Sequence, residues 1–145
     1  MSMSERKQFS KRAQRLLLLA NRESKRSACP HVASEHLLLG ALAYRSPGVS
    51  GILRRAGLAL DTLRAYVAQV GSAPEEAPHG YGPSMHGALS RSCRHSAELS
   101  HRQIEPEHLV LGLLDETEGG AARALRYFGV DVRATKRQII QGMRK

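Results

Sequence analysis

The sequence predicts an all-α protein of eight helices, built as two four-helix repeats related by a pseudo-two-fold axis in one compact domain. Apolar residues recur at helical spacing almost throughout, and no segment alternates at period two for long enough to make a strand. The phrase EHLLLG that opens at Glu35, followed by Leu42, returns 72 residues later as EHLVLG at Glu107, followed by Leu114. The same offset relates Phe9 to Tyr81, Val32 to Ile104, Gly48 to Gly120, Leu53 to Leu125 and Gly57 to Gly129. Residues 31–60 match 103–132 at ten of thirty positions without a gap, so one unit is used twice. The repeats span residues 9–70 and 81–143, with a linker at 71–80.

In the first repeat, Phe9, Ala13, Leu16, Leu17 and Ala20 line one face of a first helix, with Ser10 placed as its N-cap. The Cys29-Pro30 pair ends it. Ser34 is expected to cap a short second helix whose buried face is Leu37, Leu38, Ala41 and Leu42. Ser46-Pro47-Gly48 reads as a turn. Val49, Ile52, Leu53 and Ala56 then mark a third helix, closed by Gly57 in a left-handed conformation. Leu60, Leu63, Val67 and Val70 form the fourth.

The stretch GSAPEEAPHG at 71–80 has no periodicity and is rich in Pro, Gly and Glu, the composition of a linker. Tyr81, Met85, Leu89, Ser92, Ser96 and Leu99 then make helix five, and Leu109, Val110, Leu113 and Leu114 helix six. Ala121, Ala124, Leu125 and Phe128 mark helix seven; Val132, Ile139 and Met143 mark helix eight. Helix five is less apolar than its counterpart, which predicts looser packing at that point.

Composition narrows the function. With 145 residues and no apolar run near the length of a membrane span, the chain reads as one cytosolic domain; the polar residues 1–8 carry no signal-peptide core. Cys29 and Cys93 are not equivalent in the two repeats and no CxxC occurs, so two reduced thiols are expected rather than a disulfide or a zinc site. The net charge of +9 is uneven: residues 1–70 hold twelve Lys/Arg against four acids, and residues 81–145 ten against seven. Such a field attracts acidic peptides, phosphorylated groups or nucleic acid. No phosphate loop, GxGxxG or GxSxG occurs, and no HExxH. No catalytic residues, metal ligands or cofactor are therefore assigned. His36 and His108 recur, and each is expected to pack or cap a helix start.

What remains is the pair Glu35 and Glu107, each in the first turn of a short helix. A carboxylate there complements the helix dipole and can accept from unpaired N–H groups. The same geometry suits a ligand: the helix end offers donors to an anion, and the carboxylate can take a bidentate pair from a guanidinium. Phosphoarginine carries both groups.

These residues also carry a resemblance. FSKRAQRLLLLA (9–20), SEHLLLGAL (34–42) and GVSGILRRAGL (48–58), with YGPSMHGALS, EHLVLGLL and GGAARALRYFGVD in the second copy, resemble the duplicated Clp N-terminal repeat, which heads the Clp/Hsp100 unfoldases. The EHLLLG form is most similar to the ClpC branch, and the resemblance covers residues 9–143. It implies a non-enzymatic module that receives substrates or adaptor proteins of a Clp protease system. It also implies that Glu35 and Glu107 read phosphoarginine, helped by a hydroxyl after the first-helix aromatic. That position is Ser10 in the first repeat and Gly82, without a side chain, in the second. Ala33-Ser34 keeps the hydroxyl before the Glu-His pair, whereas Glu105-Pro106 does not. The first site is therefore expected to be the stronger. The degenerate second repeat favours a free-standing protein over an excised N-domain. Such a protein could act as a regulator or competitor of an unfoldase N-domain without binding phosphoarginine. A basic nucleic-acid-associated protein, using Arg12, Arg15, Arg22, Lys25 and Arg26, is the remaining alternative.

Overall fold

The structure, a computed structural model, describes residues 8–75 and 80–144; residues 1–7, four residues of the expected linker (76–79) and residue 145 lie outside the description. The described chain forms α1 (Lys11–Arg26), α2 (Ser34–Ala43), a π-helical turn (Pro47–Gly51) running into α3 (Ile52–Arg55), α4 (Leu60–Val70), α5 (Pro83–Glu98), α6 (Pro106–Leu114), α7 (Gly120–Tyr127) and α8 (Val132–Met143). Among the described residues there is no β-strand, only two isolated bridges.

The expected helices are all present, and the differences lie at their ends. Ser10 caps α1 as expected, its Oγ accepting from Ala13 N at 3.1 Å. Ser34 does not cap α2. It is the first helical residue, and Ala33 holds the cap position. Its hydroxyl reaches the second repeat instead, donating to Glu116 Oε1 and accepting from Ala121 N, both at 3.1 Å. Helix α1 stops before the Cys-Pro pair, because Ala28 enters positive φ (55°) and Cys29 N donates back to Ser24 O. Ser100 (φ 60°) ends α5 in the same way, with His101 N bonded to Ser96 O. The expected turn at 46–48 is instead the start of the π-helical segment, with Pro47 in its first turn, where a missing N–H costs nothing.

Helices α2 and α6 form the centre. Every residue of α2 from Ser34 to Leu42 is buried, as is all of α6 except Glu107. Each is crossed by its preceding helix at a glycine. A Cβ on Gly40 would stand 2.7 Å from Ala20 N, and one on Gly112 2.5 Å from Ala88 O. This corrects the expectation of looser packing around α5. Met85, Ala88, Ser92 and Ser96 are all fully buried, and the serine hydroxyls are satisfied by Ala88 O and Gln103 O, both at 2.7 Å. Small side chains here let two backbones approach.

The repeats interlock. Phe9 of the first bridges Ile104 of the second, and Val32 of the first bridges Tyr81 of the second, so each repeat's leading segment pairs with the segment ahead of the other's central helix. The bonds match across the axis: Ser10 N to Ile104 O (3.0 Å) corresponds to Gly82 N to Val32 O (3.0 Å), and Ile104 N to Gln8 O (2.9 Å) to Val32 N to Gly80 O (2.7 Å). Helix α2 also packs on α7, and α6 on the π-helical turn. One hydrophobic core runs through both repeats.

Equivalent joints use different chemistry. In the first repeat Arg64 of α4 grips Glu23 of α1 with two bonds, 2.7 and 3.1 Å, and Glu23 is only 3% exposed. The positions equivalent to Glu23 and Arg64 are His95 and Lys136, which meet through Asp115 at the end of α6. Burial pushes the Asp115 carboxyl up, but its bonds to Lys136 and His95 outweigh that and hold it below the usual carboxylate range.

Candidate functional site

Both recurrent histidines act as caps. His36 Nδ1 accepts from Ala33 N at 2.9 Å, and His108 Nδ1 accepts from Glu105 N at 2.8 Å, so an imidazole satisfies the donor that a Glu or Gln side chain takes in a capping box. Burial, the largest influence on His36, lowers its pKa and keeps the ring neutral. With the histidines bonded back to the chain, the glutamates one position earlier point outward from the helix start.

Each glutamate meets a glycine of the other repeat. A Cβ on Gly120 would lie 2.0 Å from Glu35 Oε1, and one on Gly48 3.1 Å from Glu107 Oε2. At Gly120 a side chain would collide with the carboxylate, and at Gly48 it would crowd it. In both glutamates Oε1 is buried with no hydrogen-bond partner among the described residues. A buried acceptor left unpaired is costly.

The two surroundings differ. Glu35 is 4% exposed and borders a narrow cleft of about 10 Å³ shared with Tyr66, Val67, Gly120 and Arg123. The donors that open α7 beside it are already taken: Ala121 N by Ser34 Oγ, and Ala122 N by Glu116 Oε1 at 2.9 Å. Burial raises the Glu116 pKa, partly opposed by the bonds it accepts from Ala122 N and Ser34 Oγ. Glu75 accepts from Ser84 N (3.0 Å) and Ser84 Oγ (2.9 Å) and fills the space that a side chain on Gly82 would occupy.

Glu107 instead opens onto a cleft of about 420 Å³ lined by Arg12, His101, Arg102, Gln103, Glu105 and Met143. The residues equivalent to Ser34 and Glu116 are Pro106 and Tyr44, neither of which supplies a sealing carboxylate or a hydroxyl at the helix start. Arg12 reaches over from α1 to Glu105 at 3.2 Å. Ser10, grouped with Glu35 in the sequence because they share a repeat, is bonded by its amide to Ile104, three residues before Glu107. The crossed bridges thus bring Ser10 and Arg12 to the second repeat's glutamate. Sequence reasoning gave Arg12 only to a basic helix face and did not single out Arg102, and the offset of 72 could have pointed to their place beside Glu107 only with the crossing known.

Comparison with known proteins decides the family. The model of the Clp repeat (R) N-terminal domain matches residues 8–99 and again 80–145. The chain belongs to the Clp N-terminal repeat family. It is similar to the chaperone protein ClpB of Oceanobacillus iheyensis (31% identity over 136 residues, 92% of this chain and 17% of that protein). It is also similar to the negative regulator of genetic competence ClpC/MecB of Bacillus subtilis (30% over 136 residues, again 92% and 17%). The chain thus spans about a sixth of the length of these curated relatives. In solved structures, the N-terminal domain of ClpD from Arabidopsis thaliana shares the fold with a TM-score of 0.79 at 22% identity, covering 95% of this chain and 96% of that one. The Hsp104 N-terminal domain from Candida albicans does so at 0.71 and 17%, covering 92% and 89%. As a Clp N-domain, the molecule has no helix among the described residues long and apolar enough to cross a membrane. Nor do those residues gather three or more His, Cys, Asp or Glu side chains able to hold a metal, and Cys29 and Cys93 are not joined in a disulfide.

Proposed function

We propose that this Clp N-domain is a non-catalytic receptor for substrate or adaptor proteins of a Clp-type unfoldase, and that it recognises phosphoarginine on them at Glu107. The observation that carries this reading is the unpaired Oε1 of Glu107, a residue that lines an open cleft together with Arg12 and Arg102. A guanidinium satisfies the orphaned carboxylate through charge-assisted bonds, and the phosphoryl group reaches the arginines. Free phosphate reaches the arginines but leaves the Glu107 carboxylate unpaired, and free arginine leaves the cations unused. Ser10 supports the site through the backbone, holding the segment that leads to α6, while its hydroxyl caps α1. Glu35, with its neighbouring donors engaged by Ser34 and Glu116, is the weaker partner.

Calorimetric titration of phosphoarginine into the protein tests this, with arginine and phosphate as controls. Saturable binding that is lost in Glu107→Gln and largely retained in Glu35→Gln is expected. Binding lost in Glu35→Gln alone would move the site to the first repeat. The absence of heat at millimolar ligand would leave a docking module that reads some other feature of its partners.

A further inference from the structure

Arg12 also borders a second cleft of about 440 Å³, between the first three turns of α1 and the end of α2. It is lined by Lys11, Arg12, Arg15 and Arg45 together with Leu19, Ala43 and Tyr44. The volume is within the range of clefts that hold ligands. We infer that this cleft is an anion site for a polypeptide segment bearing clustered negative charge, either adjoining carboxylates or a phosphomonoester.

Three observations support it. The first is electrostatic. Helix α1 has Lys11 and Arg12 in its first turn and no acid there, although the positive end of a helix dipole favours acids. Lys11 and Arg15 add a like-charge pair four residues apart, which also works against the helix. Among the described residues only Arg12 of the four cations has a carboxylate partner, Glu105. The fold therefore gains nothing from concentrating these charges, and a bound anion relieves all of them together.

The second observation comes from the duplication, which supplies an internal reference. At the equivalent positions of the second repeat, Lys11, Arg12 and Arg15 become Pro83, Ser84 and Gly87, and Arg45 becomes Thr117. Tyr44 becomes Glu116, and Leu19 becomes Arg91, whose Nε donates to Gly112 O at 2.8 Å. The same scaffold thus stands without the charge cluster, so the cluster is not a requirement of the fold. The third is the apolar share of the lining: Leu19, Ala43 and Tyr44 suit the side chains of a peptide, and with no aromatic pair to stack bases the cleft fits a nucleic acid poorly.

The test is fluorescence anisotropy with short labelled peptides on the full chain. One carries a central phosphoserine, one a run of glutamates, and one glutamines in their place; a single-stranded oligonucleotide of equal charge is the fourth probe. The site predicts saturable binding of one or both acidic peptides and none of the glutamine peptide. It predicts that Arg15→Ala with Arg45→Ala weakens that binding roughly tenfold or more. Removing two equally exposed charges on α8, by Arg133→Ala with Arg137→Ala, should leave it within about twofold. All four arginines are exposed, so both double variants should fold, which circular-dichroism melts check. The comparison of phosphoserine with glutamate identifies which anion is preferred. Equal weakening by the two double variants, or no saturable binding, overturns the proposal. So does tighter binding of the oligonucleotide than of either peptide, which would assign the charge to nucleic acid.

Discussion

The first repeat seals its glutamate and the second leaves it open, although both place it one position after a helix start and against a glycine of the partner repeat. Around Glu35 a serine hydroxyl and the Glu116 carboxylate take the nearby donors. Around Glu107 the corresponding positions are a proline and a tyrosine, and arginines border the cleft. The difference teaches that a recurring motif marks a geometry rather than a function. The hydroxyl that looks like an asset of the first repeat is what closes it, and the second copy, more degenerate as a string, is the accessible one.

The largest test of this contrast is at the facing glycines. Gly120→Ala drives a Cβ against a carboxylate that is 4% exposed and has nowhere to swing, and should cost about 1–3 kcal/mol in chemical denaturation. Combining it with Glu35→Ala should recover most of the loss. Gly48→Ala meets Glu107 at 3.1 Å beside an open cleft, and should cost clearly less. Equal costs would mean that the two glutamates are equally confined.

A smaller effect is expected where the repeats agree. Ala28 and Ser100 hold positive φ at equivalent helix ends, a conformation that opposes a Cβ. Ala28→Gly and Ser100→Gly should each stabilise by about 0.5–1 kcal/mol after the added freedom of the unfolded chain is counted. Thermal melts of the two single variants would show whether the strain is shared equally.

The smallest effect separates the capping histidines. Because burial lowers the pKa of His36, the folded state binds its proton more weakly than the unfolded state does. Its contribution is intact above the ordinary imidazole value of about 6.5 and is lost as pH falls through and below it. Urea midpoints should drop on acidification, and His36→Gln, which keeps an acceptor for Ala33 N, should flatten that drop. An unchanged slope in the variant would place the acid sensitivity elsewhere.

Much of this molecule is legible in the amino-acid string, and the illegible part has one cause. Helix positions, the duplication, the Ser10 cap and the exceptional place of Glu35 and Glu107 all follow from local spacing. So does the capping role of the histidines. What local spacing cannot carry is which repeat a side chain faces. Ser34 looks like a cap until its hydroxyl is found on α7, Ser10 looks like a neighbour of Glu35 until its amide is found on Ile104, and Arg12 looks like one more surface cation. Helix α5 looks loosely packed because hydrophobicity counts side-chain area, whereas Gly112, Ala88 and Ser92 gain by having little of it.

The exchanged bridges also bear on how the two halves stay together. Phe9 with Ile104 and Val32 with Tyr81 place in each repeat one half of both contacts, so every repeat is self-complementary in the sense of a two-fold dimer. The covalent linker then acts as a concentration device, converting an association between two bodies into docking within one. Cutting the chain inside 71–80 should leave fragments that still find each other, now with an affinity that depends on dilution. An ancestral single repeat would have needed only a second copy of itself to complete the same core.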